Sequence, residues 1–203
     1  NAIWHDCWTQ EHKEVPLPSE QAAIVVMDTG KPRELVESEY NLRREQCEKA
    51  AKILRVRSLR DVDMQELHRA YEEGRIPEVI YRRARHVVTE NERVFEVAEA
   101  LREGDFERVG QMLNESHSSL RSDYEVSCEE LDLICEIARQ QEECYGARLV
   151  GAGFGGCAIA LVKAGSEQEF AAKVKPEYDR RSGRESKIFA VRAADGAAVV
   201  WEG

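Results

Sequence analysis

A cluster of glycines limits what the surrounding chain can fold into. The segment Gly151–Gly156 holds four glycines in six positions and separates two apolar runs at 149–150 and 158–162. Glycine loses more backbone entropy on folding than any other residue, so such a cluster indicates unusual φ/ψ angles or a close approach by another group. The pattern predicts strand, glycine loop, strand, and the approaching group is either a phosphate or another loop.

The same glycines also satisfy the spacing G-x-G-x-x-G at Gly151, Gly153 and Gly156. A dinucleotide fingerprint requires a helix directly after the glycines and an acidic residue about 20 positions further on. The following residues, Cys157–Val162, form a short apolar run without a cap and predict a strand. This context excludes the dinucleotide interpretation. Two interpretations stay open, a loop that supports a phosphate and a structural turn between two buried strands.

Composition narrows the class of protein. The chain has 203 residues and 42% apolar content, enough for a buried core in one large or two small domains. A net charge of −10 disfavours nucleic acid, whereas a few backbone amides can bind phosphate whatever the net charge. With no apolar run near the ~18 residues of a membrane span and no leader pattern, we expect a cytoplasmic protein without membrane contact. The six cysteines lack C-x-x-C or zinc spacing, which predicts reduced thiols. Residue 1 is Asn, which suggests a piece of a longer protein.

Hydrophobic periodicity predicts a block of helices between strands. Strands are predicted at 2–8, 22–28, 144–151, 157–163, 187–193 and 197–202, and helices at 38–54, 63–73, 77–104, 105–120, 127–140 and 166–174. Ser38 and Asp105 are predicted N-caps, and Ser127 and Ser166 open predicted capping boxes. This order predicts an α+β domain with helices packed on one face of an antiparallel sheet.

Polar residues outside the glycine cluster form no recognisable site. His86 and His117 lie on predicted helices without a metal-ligand pattern, so both are interpreted as structural. The polar segment 114–119 is either a surface that faces a ligand or a frayed helix end, and we favour the frayed end. The basic cluster 180–184 predicts a solvated loop. No nucleophile, carboxylate pair or metal cluster emerges from these residues.

Several segments of the chain resemble those of a kinase superfamily. Leu149–Cys157 resembles the third motif of the superfamily of galactokinase, homoserine kinase, mevalonate kinase and phosphomevalonate kinase. Further segments resemble the galactokinase family in particular, in order along almost the whole chain: Asp28–Gly30, Ser38–Cys47, Arg82–Val88, Glu115–Asp132 and Ala193–Ala197. The resemblance implies a ferredoxin-like C-terminal kinase domain with a helical block.

The resemblance also implies a reaction, transfer of the ATP γ-phosphoryl group to the anomeric hydroxyl of galactose with Mg²⁺ on the phosphates. Tyr40 occupies the position of a tyrosine that contacts the sugar. The implied phosphate-side residues are Gly151, Ala152, Gly153, Phe154, Gly155 and Gly156. Nothing in the chain matches the family's catalytic aspartate, first motif or ATP loop, so no catalytic or metal-binding residue is expected here. Residues 1–30 are then expected to belong to the N-terminal domain and 31–203 to form the C-terminal domain. The expected partners are galactose, ATP and the missing N-terminal half, without which the chain is predicted to be inactive.

Three alternatives accompany this interpretation. The protein could be a sensor that binds sugar and ATP and regulates a protein partner, or a kinase for a related sugar such as N-acetylgalactosamine. Tyr40 argues for galactose, because relatives that act on acetamido sugars tend to carry another residue at that position. A stand-alone domain that mediates protein contacts is disfavoured, because a chain opening within a strand leaves an unpaired edge.

Overall fold

The strands form two antiparallel sheets. The structure is a computed structural model and describes residues 1–17, 20–33 and 36–193. Within these residues β1 (Ala2–His5) and β2 (His12–Val15) form a hairpin, and the larger sheet consists of β3 (Ala22–Asp28), β4 (Cys144–Leu149), β5 (Cys157–Lys163) and β6 (Lys187–Val191). Its order is β4-β5-β3-β6 with every neighbouring pair antiparallel, which is the ferredoxin-like arrangement. The predicted α+β fold is confirmed.

The helices occupy two positions along the chain. Between β3 and β4 lie α1 (Val36–Leu54), α2 (Met64–Glu72), α3 (Glu78–Glu103), α4 (Phe106–Ser122) and α5 (Glu129–Arg139), and between β5 and β6 lies α6 (Glu167–Ser182). The predicted helical block is therefore present. A short 3-10 turn at Leu59–Asp61 follows α1. None of the helices in the described part of the chain has the length and apolarity that a membrane crossing requires.

One face of the larger sheet packs against α5 and α6. Phe170, Val174 and Tyr178 recur every fourth residue of α6, and all three are fully buried in this layer. Each such burial contributes about 1.5–3 kcal/mol, whereas an interior proline costs about 3 kcal/mol. The helix therefore continues through Pro176, and the predicted end at residue 174 is wrong.

A second cluster joins the hairpin to α3 and α4. Val15 and Ala22 are buried with side chains of α3 and α4, and the ring of Trp4 lies 5.5 Å from that of Phe95. The sequence prediction missed β2, because its burial pattern has one buried residue, Val15, and no alternation of apolar and polar side chains. Its pairing with β1 forms the strand.

The expected domain boundary at residue 30 does not agree with the position of β3. This strand pairs with β5 from Ala22 to Asp28 and with β6 from Ile24 to Asp28. Val25 and Met27 are fully buried in the core beneath α5 and α6. Because β3 lies between two strands of the later chain, it belongs to the same sheet as they do. Assignment of the β1–β2 hairpin to another domain stays a prediction.

Two predicted caps are wrong, and a third lacks its predicted side-chain bond. Ser38 lies inside α1, which begins at Val36. Ser127 Oγ donates to Asp132 Oδ1 at 2.6 Å, so the N-cap of α5 is the next residue, and that residue makes no side-chain cap bond. Ser166 is the N-cap of α6, as predicted, but it forms no capping box, because its Oγ donates to Lys163 O. In the last two cases the hydroxyl bonds to a nearby acceptor rather than to the helix amides.

Other predicted ends shift by a few residues. The predicted strand 144–151 ends at Leu149, and 187–193 ends at Val191. By contrast, Asp105 caps α4 as predicted and accepts from Arg108 N at 3.0 Å. The predicted strand 197–202 lies outside the described residues.

Candidate functional site

The glycine loop connects β4 to β5, as the sequence predicted. A hydrogen bond from Val150 N to Cys157 O joins the two ends of the loop. Within the loop, φ is positive at Gly151 (77°), Gly153 (83°), Phe154 (60°), Gly155 (131°) and Gly156 (80°). Side chains rarely adopt these angles, so glycine is needed at most of these positions. The strand after the loop is the feature that excluded a dinucleotide fingerprint, and it is confirmed.

Segments of the protein itself approach the loop closely. An alanine Cβ at Gly153 would lie 2.0 Å from Val126 O, and one at Gly155 would lie 2.8 Å from Pro32 O. Gly153 and Gly155 are both buried. The group that crowds these two glycines is therefore another part of the chain, and their role is to hold the loop in place.

Hydrogen bonds attach the loop to the same segments. Phe154 N donates to Val126 O at 2.8 Å, and Gly156 N donates to Lys31 O at 3.0 Å. Thr29 Oγ1 donates to the carbonyl of Gly156 at 2.7 Å. The segment 29–33 and the turn before α5 thus hold the loop from two sides.

That turn, residues 122–126, is held by arginines. Arg43 is buried and donates to Tyr124 O at 2.6 Å and to Glu125 O at 2.7 Å. Arg83 Nη2 donates to Glu125 Oε2 at 2.6 Å, and Arg82 also pairs with this carboxylate. Hydrogen bonding, first from Arg83 and then from Arg82, lowers the pKa of Glu125. Charged donors that satisfy carbonyls and a carboxylate together make the turn rigid.

Tyr40 lies on α1, one helical turn before Arg43, and is 60% exposed. Arg43 anchors α1 to residues 124 and 125, while Val126 O anchors the glycine loop. The tyrosine and the loop are thus attached to one turn, although they are more than a hundred residues apart in the chain. Both features were predicted from the sequence. The bonds from Arg43 to residues 124 and 125 were not, because contacts between residues about 80 positions apart leave no local pattern.

A family match covers the end of the helical block, β4, β5 and most of α6. Residues 97–180 match the model described as "GHMP kinases C terminal". The chain contains a GHMP kinase C-terminal domain.

Proteins similar to this chain include several galactokinases. It is 40% identical over its whole length to a galactokinase of Roseiflexus sp. (strain RS-1), of which it covers 52%. It is 42% identical over 97% of its length to a galactokinase of Thermotoga neapolitana, of which it covers 54%. The chain therefore spans about half the length of the curated relatives that it matches.

Solved structures show the same relationship. The crystal structure of Lactococcus lactis galactokinase complexed with galactose matches with a TM-score of 0.86 and 37% identity, over 93% of this chain and 49% of that one. L. major mevalonate kinase in complex with R-mevalonate matches with a TM-score of 0.59 and 20% identity, over 96% and 49%. The second match shows the fold alone.

The polar segment 114–119 of the GHMP kinase domain is not a frayed helix end, contrary to the prediction. Ser116, His117 and Ser119 are buried in the interior of α4. Asn114 Oδ1 accepts from Ala147 N at 3.0 Å, and His117 Nδ1 accepts from Leu149 N at 3.2 Å. Both donors belong to β4, the edge strand of the larger sheet. The polar side chains therefore bond to strand amides that a neighbouring strand would otherwise satisfy.

His86 and His117 are structural, as predicted. His117 Nε2 lies 3.2 Å from Asp132 Oδ1. His86 lies against the ring of Tyr124, with its Nδ1 3.0 Å from Ser119 Oγ. Burial lowers the pKa of His86 to about 4, which keeps its ring neutral near pH 7. No group of three metal-binding side chains occurs in the described ranges.

Two smaller predictions have different outcomes. All six cysteines are unpaired, as expected, and burial raises the pKa of Cys135 to about 12 and that of Cys144 to about 11.

The basic cluster 180–184 is not a solvated loop. Arg180 and Arg181 lie in the last turn of α6, where basic side chains complement the helix dipole.

Proposed function

We propose that this chain is the C-terminal part of a galactokinase, which transfers the γ-phosphoryl group of ATP to the anomeric hydroxyl of galactose. The observation that carries the proposal is the similarity to galactokinases along nearly the whole chain, at 37–42% identity. The L. lactis relative is described in complex with galactose. The same similarity supports a cytoplasmic sugar kinase rather than a stand-alone interaction domain.

Tyr40 is the proposed sugar contact in this half of the protein. Its hydroxyl can donate to or accept from a sugar hydroxyl, and its ring can cover an apolar face of the sugar. The side chain is 60% exposed, on a helix that buried Arg43 holds in place. An exposed aromatic side chain on an anchored helix suits recognition of a polar ligand.

The glycine loop is the proposed support on the phosphate side. Phosphoryl transfer depends mainly on positioning and charge stabilisation, so a rigid wall for the phosphates is a useful contribution. Gly151 is exposed and Ala152 is half-buried. Gly153 and Gly155 are buried against neighbouring segments of the chain and hold the loop in place. Mg²⁺ would arrive with the ATP phosphates, and we assign it no ligand among the described residues.

The catalytic group is proposed to lie in the half of the protein that this chain does not span. We therefore expect the 203-residue chain to produce no galactose 1-phosphate by itself. Assays of the full-length protein with ATP and a panel of hexoses test the proposal, and the expected result is selective phosphorylation of galactose. A protein that binds galactose and ATP without turnover would be a sensor, and a preference for N-acetylgalactosamine would overturn the choice of sugar.

Tyr40→Phe tests the sugar contact in the full-length enzyme. We expect a KM for galactose raised about tenfold with little change in the KM for ATP, because a hydrogen bond to the sugar is lost. Tyr71→Phe is the matched control, since Tyr71 is also exposed and its stacking on Tyr81 needs no hydroxyl. Equal behaviour of the two variants would remove Tyr40 from the site.

A further inference from the structure

The guanidinium group of Arg33 lies against the glycine loop. An alanine Cβ at Gly151 would lie 2.7 Å from Arg33 Nη2, and one at Gly156 would lie 2.7 Å from Arg33 Nε. The Nη2 atom is also 3.5 Å from Val150 O, at the start of the loop. Two of the four glycines therefore make room for this arginine, as the other two do for Val126 and Pro32.

Arg33 is a cation without a carboxylate partner among the residues described. No Asp or Glu oxygen of these residues lies within 4.0 Å of its guanidinium group, and the residue is exposed. The neighbouring cation is different, since Lys31 Nζ pairs with Glu130 at 2.8 Å. Asp28, the acidic residue at the end of β3, accepts instead from Gly30 N at 3.0 Å. The positive charge of Arg33 is therefore available to a ligand.

Two amides at the start of the loop are also available. Within residues 1–17, 20–33 and 36–193, the N–H groups of Gly151 and Ala152 donate to no backbone or side-chain acceptor, unlike those of Phe154 and Gly156. Gly151 is exposed, and its backbone lies beside the Arg33 guanidinium. Free amides in a turn with positive φ bind anions, and arginine binds phosphate in a bidentate manner. The two kinds of donor lie on the same part of the loop.

We propose that Arg33, with the amides of Gly151 and Ala152, binds a phosphate group of a reactant. The proposal rests on the proposed function, in which ATP enters and a sugar phosphate leaves. The shared chemistry is a phosphate dianion or polyphosphate, supplied either by the nucleotide or by the phosphorylated sugar. Arg33 is then a binding residue of the reaction, contributed by the segment between β3 and α1.

The test is calorimetry on the full-length protein with ATP, galactose 1-phosphate and galactose as separate ligands. The variants are Arg33→Gln, Arg33→Lys and, as a control, Arg44→Gln, which removes one charge from an exposed position of α1. We expect Arg33→Gln to lower the affinity for ATP, for galactose 1-phosphate or for both by about 10- to 100-fold, because a charge-assisted hydrogen bond is lost. Galactose affinity should change less than about twofold, Arg33→Lys should be intermediate, and Arg44→Gln should match the wild type.

The ligand that loses affinity identifies the source of the phosphate. The proposal is overturned if Arg33→Gln binds ATP and galactose 1-phosphate as the wild type does, or if the wild type binds neither. Failure of the proposed function gives a different result. Suppose that the wild type phosphorylates no sugar, and that Arg33→Gln weakens ATP binding whereas the control Arg44→Gln does not. The proposed kinase activity would then be refuted, and the phosphate-binding site at Arg33 would be retained.

Discussion

At the scale of single residues, the glycines of one loop serve different purposes. Gly153 and Gly155 admit carbonyl oxygens of neighbouring segments, while Gly151 and Gly156 admit the side chain of Arg33. All four also have positive φ. The cost of replacing a glycine therefore depends on what lies beside it, and not on the backbone angle alone.

Gly153→Ala should lower the free energy of unfolding by at least about 3 kcal/mol. The left-handed backbone costs an L-residue about 1–2 kcal/mol, and the methyl group meets the Val126 carbonyl at 2.0 Å. Gly104→Ala has a similar φ with nothing within 4 Å and should cost only about 1 kcal/mol. Urea denaturation of both variants measures the difference. Equal losses would show that the Val126 contact does not matter.

His86 should make stability depend on pH. The unfolded chain binds a proton at this histidine near pH 6.5, whereas the folded pKa is about 4. The contribution of neutral His86 to the free energy of unfolding is therefore present above pH 6.5. It is lost as pH falls towards 4, to a limit of about 3 kcal/mol. Unfolding curves of the wild type and His86→Gln should converge over this window. An unchanged slope in His86→Gln would contradict the prediction.

At the scale of elements, α1 and the glycine loop meet through the turn 122–126. Arg43 donates to two carbonyls of this turn, and its side chain is 8% exposed. A planar guanidinium can reach both oxygens at once, whereas a lysine ammonium presents its donors from a single point. The position of the helix that carries Tyr40 thus depends on one buried side chain.

Arg43→Lys should destabilise the protein by about 2 kcal/mol, since at least one buried carbonyl loses its charged donor. The neighbouring Arg44→Lys is the control, because Arg44 is 63% exposed and its pair with Glu48 is worth under about 0.5 kcal/mol. Thermal unfolding followed by circular dichroism compares the two. A loss in Arg43→Lys no larger than that in Arg44→Lys would show that the turn does not depend on Arg43.

At the scale of the whole molecule, the larger sheet is built from distant parts of the chain. β3 comes before the helical block, yet it lies between β5 and β6, which follow that block. The sheet therefore cannot be completed by residues 31–193 alone. The β1–β2 hairpin, by contrast, is a separate sheet that packs on α3 and α4 through side chains.

Deletions distinguish these two roles. Removal of residues 1–28 should abolish cooperative unfolding, because β5 and β6 lose the strand that joins them. Removal of 1–17 should leave a cooperative but weaker transition, since the contacts of Val15 and its neighbours with α3 and α4 are lost, together with the exposed Asp6–Arg60 ion pair. Denaturant titration of both products decides between them. If the chain without residues 1–28 unfolded cooperatively, the expected domain boundary at residue 30 would be supported after all.

Local signals in the sequence were sufficient for most elements. The stripes of α3 and α4, the capping Asp105 and the apolar runs of β3 and β5 follow from periodicity and side-chain chemistry. The errors arose where tertiary packing decided the outcome. Pro176 does not end α6 because buried side chains flank it, and the polar segment 114–119 stays helical because it bonds to an edge strand.

The glycine loop shows this division most clearly. The sequence by itself determined a strand, a loop of unusual backbone angles and a second strand, because glycine content and apolar runs are local properties. Only the tertiary structure decided what approaches each glycine, since Arg33, Pro32 and Val126 are distant in the chain and no local pattern encodes their contacts. Burial and hydrogen bonding across the fold brought them together, and that placement defines the proposed phosphate site.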